Sequence, residues 1–111
     1  MHTTGDGLVV NQNEQAYRHV VDEAGDSSLL RQTYVHRAGH CTFTPAETIT
    51  AFQTLIGRLD TGHWGHTTDA ALMNTEAAAL VQPRANPAPP AFLRFHPTAF
   101  LRPFDRGDHE E

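Results

Sequence analysis

Asp6 and His40, 34 positions apart, are the residues of this chain whose types and surroundings suit proton-transfer chemistry. An imidazole serves as a general base when a fixed carboxylate takes a hydrogen bond from one ring nitrogen. That bond sets the tautomer and leaves the second nitrogen to exchange a proton with a reacting group. Asp6 lies between Gly5 and Gly7, in a Gly-Asp-Gly turn whose glycines permit a tight bend. His40 lies between a β-rich run and a strongly marked helix start, in the stretch from Tyr34 to Glu47. A ring held there is fixed by its flanking elements and still exposed.

Other reactive groups make weaker cases. There are eight histidines, so the ring alone singles out nothing. His63 and His66 form a His-x-x-His pair with Asp69 nearby, but the stretch reads as a loop. A metal needs further ligands on rigid elements. No metal site and no cofactor are expected. Cys41 directly follows His40, and adjacent side chains usually diverge, so it is expected to be a small buried thiol beside the turn.

The elements around the pair can be read in order. Residues 1–5 resemble the last part of a strand. Residues 11–24 have helical spacing, with Asn11 and Glu14 placed as a capping box, Ala16, Tyr17, Val20, Val21 and Ala24 on one side, and Gly25 as a stop. Residues 29–36 read as a strand, closed by Arg37-Ala38-Gly39. Thr44, Pro45 and Glu47 give the clearest local signal, a capping box with proline at the first helical position. The helix that follows carries Ile49, Phe52, Leu55, Ile56 and Leu59 as an expected buried stripe, ending at Gly62. A weaker helix is expected from Thr68 or Asp69 to about Val81. Trp64 is expected to pack over that helix or the rim of the site. Beyond Gln82 the chain turns proline-rich and irregular, with apolar anchors at 91–95 and 99–103 and a disordered end from Asp105. The organisation is therefore 1–62 as an α/β portion, 63–81 as loop and weak helix, and 82–111 as tail.

Composition narrows the function classes. A chain of 111 residues makes one small domain. The net charge is −5, there is no lysine, and the arginines are scattered, which argues against a nucleic-acid surface. A single cysteine excludes an internal disulfide and a multi-cysteine zinc site. No apolar run reaches transmembrane length, and the first residues lack the pattern of an export signal, so no membrane partner is expected.

One good strand and one truncated strand leave backbone groups and apolar faces without neighbours. The chain is therefore expected to be part of a larger α/β protein, needing a missing N-terminal part or a partner chain. Over residues 1–60 it resembles the last third of an α/β-hydrolase. Thr-Gly-Asp-Gly-Leu-Val, a helix, a strand and Ala-Gly-His-Cys-Thr-Phe-Thr-Pro-Ala-Glu occur in the family's order. The resemblance implies a C-terminal fragment of that family's sheet, with Asp6 at the acid position and His40 at the histidine position. It also implies Ser-His-Asp hydrolysis of an ester or amide, in a small molecule or a peptide. The family's Gly-x-Ser-x-Gly turn does not occur, and the only serines are Ser27 and Ser28, in a polar loop. Without nucleophile and oxyanion hole, the chain alone is expected to be inactive. The competing expectation is a non-enzymatic α/β module that binds a partner through its Phe-rich tail.

Overall fold

The computed structural model describes residues 1–81 and 88–101. Strand β1 (His2–Gly5) pairs in parallel with β2 (Tyr34–Ala38). A parallel pair needs a crossover, and helix α1 (Gln12–Glu23) supplies it. The other edge of β2 pairs antiparallel with β3 (Phe92–Leu93), setting Val35 opposite Phe92. With α2 (Pro45–Thr61) and α3 (Ala70–Ala78), this is a small α/β protein with a three-stranded mixed sheet in the order β1-β2-β3.

The expected capping box of α2 is present. The Thr44 hydroxyl accepts from the Glu47 N–H at 3.2 Å, and the Glu47 carboxylate accepts from the Thr44 N–H at 2.8 Å. Gly62 closes the helix in the left-handed conformation, φ 81°. At α1 the expected capping box is absent. Asn11 has helical dihedrals and makes no side-chain cap, and its amide donates instead to the Thr4 carbonyl at 3.0 Å. Gln32 donates to the Glu14 carbonyl at 2.7 Å. The start of α1 is thus tied to the sheet region rather than to itself.

The second strand begins later than its composition suggests. Ser27–Leu29 form a 3-10 turn, and the ladder runs through Arg37 and Ala38, which were expected to close it. Its length follows its short partner, β1. Neighbouring strand residues point to opposite faces. Val35 enters a core with Ala46, Met73, Ala77 and Phe92. Tyr34, also buried, meets Phe95 edge to face at 5.2 Å between ring centres. Burial, reinforced by the charge of Glu14 and opposed by Arg18, pushes the Tyr34 hydroxyl up to about 12.

The apolar anchor at 91–95 packs within the chain, with Phe92 buried between β2 and α3 residues, whereas the expectation for α2 is corrected. The stripe on α2 is not buried: Phe52 is 62% and Leu59 73% exposed, and Ile49, Leu55 and Ile56 are exposed with them. The buried face of α2 is Ala46, Glu47, Thr50 and Thr54. Helix α1 likewise buries no residue, and Tyr17 and Val20 are exposed. The helices keep their amphipathic stripes, but nothing among the described residues covers them. The proline-rich start of the tail, 82–87, and the end expected to be disordered, within 102–111, lie outside the described residues. No described helix is long and apolar enough to cross a membrane.

Candidate active site

Parallel pairing brings the ends of β1 and β2 to one edge of the sheet, and the loops that follow carry Asp6 and His40. Backbone and side-chain bonds then stitch the two loops together. The Gly39 N–H donates to the Gly5 carbonyl at 3.0 Å. The Thr3 hydroxyl donates to the Gly39 carbonyl at 2.6 Å. Thr42 donates back to the Ala38 carbonyl at 2.8 Å. Gly39 has φ 101°, and a Cβ there would lie 2.7 Å from the Thr42 Cγ2, so the turn leaves no room for a side chain.

In this frame the Asp6 carboxylate lies 2.7 Å from His40 Nδ1 through Oδ2. Its other oxygen, Oδ1, accepts from the backbone N–H groups of Leu8 at 2.8 Å and Val9 at 2.9 Å. An ionised carboxylate only accepts, so Nδ1 carries the proton and Nε2 is left as the basic nitrogen. The Asp6 side chain is 3% exposed and the His40 ring 41%. Burial alone would raise the Asp6 carboxyl. The Val9 N–H, the His40 ring and the Leu8 N–H outweigh it and lower the group from 3.8 to about 2. Asp6 is therefore a fixed, ionised acceptor, and His40 is an oriented ring with one face open.

The turn that presents His40 is anchored from beneath by Glu47, which is fully buried. Arg37 donates to both of its carboxylate oxygens. The backbone N–H of Thr44 donates to one, and that of Ala91 donates to the other at 2.9 Å. These four bonds join the end of β2, the start of α2 and the residue before β3. Burial would raise the Glu47 carboxyl, but Arg37 and the two N–H groups hold it below its ordinary value. The capping role of Glu47 is legible in the sequence. Its pairing with Arg37 and Ala91 is not, because neither spacing belongs to a local pattern. The same holds for Thr3, whose partner is 36 residues away.

Cys41 departs from expectation. It is exposed rather than buried, has φ 54°, and places Sγ 3.5 Å from His40 Nε2. The left-handed backbone prevents the two neighbouring side chains from diverging. The serines lie elsewhere. Ser27 donates to Asp22 at 2.6 Å, and the Ser28 carbonyl accepts from the Trp64 indole at 2.9 Å, both before the start of β2. Trp64 thus sits away from the His40 turn, with the guanidinium groups of Arg31 and Arg58 over its ring at 5.9 and 5.8 Å. His66 is 3.5 Å from Asp69, on exposed side chains. Among the described residues no group of three or more His, Cys, Asp or Glu is arranged to hold a metal ion. Three cavities, of about 340, 740 and 310 Å³, are lined by neither Asp6 nor His40.

Over 67 residues, 60% of this chain, the sequence is 36% identical to a protein from Xanthobacter agilis named o-phthalyl amidase. The aligned stretch spans only 15% of that protein's length. No protein-family profile matches the chain, and no solved structure matches it.

Proposed function

We propose that this chain is the C-terminal part of an α/β-hydrolase that cleaves an amide or ester bond, and that Asp6 and His40 are the acid and base of its Ser-His-Asp site. The observation that carries this reading is the 2.7 Å contact between His40 Nδ1 and an Asp6 carboxylate whose other oxygen is held by two backbone N–H groups. The likeness to a protein named as an amidase supports the amide arm. The serine and the oxyanion donors come from a segment outside these residues, either upstream in a longer polypeptide or on a separate chain.

The chemistry then follows. His40 Nε2 takes the proton of the incoming serine hydroxyl as its oxygen bonds to the carbonyl carbon. It returns that proton to the leaving amine or alcohol as the carbon–heteroatom bond breaks, giving an acyl-enzyme. Water releases the acid in the mirror sequence, with His40 again accepting and returning the proton. Asp6 stays ionised throughout and stabilises the imidazolium. Sγ of Cys41 occupies the neighbourhood of Nε2, so the serine must enter beside it or displace it.

The test is activity in the longer protein, or in this chain co-expressed with a Gly-x-Ser-x-Gly-bearing segment. An activated amide or ester should be hydrolysed, with His40→Ala and Asp6→Asn each lowering kcat by on the order of 10⁴-fold. Unchanged turnover in both variants would remove the assigned roles. The 111 residues alone should not react with a serine-directed phosphonate. The alternative of a module docking through its Phe-rich tail is not favoured, since Phe92 is committed to the core and Phe95 to Tyr34.

A further inference from the structure

His2, on β1, is 8% exposed, and its Nε2 is buried with no hydrogen-bond partner among the described residues. An orphaned polar atom of this kind is uncommon in a folded interior. That nitrogen faces Oδ2 of Asp6 at 3.7 Å, too long for a hydrogen bond and within ion-pair reach. The other ring nitrogen, Nδ1, lies 2.6 Å from the carbonyl oxygen of Thr3. A carbonyl only accepts, so Nδ1 carries a proton. A neutral ring would then turn a lone pair of electrons toward a carboxylate in a desolvated place. A doubly protonated ring turns an N–H toward it instead, and that arrangement is the favourable one.

We propose that His2 is a positioning residue, an imidazolium that clamps Oδ2 of Asp6 from the buried side while His40 holds the same oxygen from the open side. Asp6 then has Leu8 and Val9 bonded to Oδ1, His40 bonded to Oδ2, and the His2 ring behind Oδ2 at ion-pair distance. A positive charge at that place opposes rotation of the carboxylate away from His40. His2 also places a positive charge behind Asp6. When His40 takes up a proton during hydrolysis, that charge tempers the stabilisation Asp6 gives it and favours return of the proton to the leaving group. This consequence for turnover rests on the hydrolase reading; the clamp itself does not.

Long-range proton–nitrogen NMR correlations on the full chain with ¹⁵N-labelled histidine test the clamp without any catalysis. At neutral pH, His2 should show both ring nitrogens protonated. His40 should show a strongly downfield Nδ1 proton, the signature of its bond to Asp6. In His2→Phe, which removes both donors, that His40 signal should be lost or broadened. In His2→Gln, whose amide still offers an N–H, it should be retained. A neutral His2 with a bare Nε2, a solvent-averaged His2 ring, or a His40 signal equally strong in both variants would overturn the proposal. If His2→Phe does not fold, the protonation state of His2 in the unaltered chain decides alone. Loss of hydrolysis in the longer protein with His2 doubly protonated would instead indict the functional reading and leave the clamp standing.

Discussion

The first turn of α2 and the outer face of the same helix invert the usual order of a protein interior. At the first turn a carboxylate, Glu47, is fully buried and satisfied by Arg37 and the backbone of Thr44 and Ala91. Along the outer face Phe52, Ile56 and Leu59 lie exposed. The polar group is inside because this chain supplies every partner it needs. The apolar groups are outside because nothing among the described residues covers them. Burial in this molecule therefore reports which interactions the chain completes by itself, and the His40 turn is one of them.

The strongest way to break that contrast is to remove Glu47. Glu47→Ala leaves a partly buried guanidinium and two backbone N–H groups without their acceptor. Breaking a buried pair from one side costs about 3–5 kcal/mol, and the lower end applies where Arg37 retains some solvent. Urea unfolding should show the loss, together with disorder of the His40 turn in NMR spectra. Stability within about 0.5 kcal/mol of the unaltered chain would mean that Glu47 does not organise the turn.

Gly39→Ala attacks the same region through the backbone. The new side chain would have to adopt φ near 101° with its Cβ against Thr42, so a cost of about 1–3 kcal/mol is expected. The His40–Asp6 contact should loosen in parallel. An unchanged unfolding midpoint would show that the turn can be rebuilt without its left-handed residue.

Acid sharpens the comparison further, because Asp6 and Glu47 both have lowered carboxyl groups. For a lowered group the stabilising contribution is complete above the unfolded value and is lost as pH falls through the folded one. For Asp6 that window runs from 3.8 down to about 2. Stability measured across it should fall steadily, and Asp6→Asn should make the fall shallower. An equally steep acid limb in that variant would show that Asp6 is not held ionised by the bonds described.

The sequence carried what is local. Thr44, Pro45 and Glu47 announce the start of α2 because a capping box is encoded within four residues. The order Asp6, helix, strand, His40 was readable because parallel pairing requires a crossover, which returns both loops to one edge. What was not readable depends on distant partners. β3 is a two-residue strand formed only because Phe92 finds Val35, and no periodicity marks it. The exposure of the α2 stripe was missed because amphipathic spacing states that a face is apolar, not that the same chain covers it. Cys41 was misplaced because a positive φ in a non-glycine residue has no sequence signature at this turn.

The outer face of α2 gives the smallest expected effect on folding and the clearest separation of the two regions. Phe52→Ser and Ile56→Ser replace large apolar residues, a change that in a core would cost several kcal/mol. Here both side chains are more than half exposed, so each should alter the stability of the chain by no more than about 0.5 kcal/mol. Solubility should improve, since a contiguous apolar face is being broken. If the face is where the rest of a hydrolase packs, the same substitutions should weaken reassembly with the serine-bearing segment, by about 1 kcal/mol or more at the central positions. Folding and association would then respond in opposite proportion: Glu47 governs the first, and the stripe governs the second. A large loss of stability from Phe52→Ser in the chain alone would mean that its own residues cover this face in solution, and the contrast between the two sides of α2 would vanish.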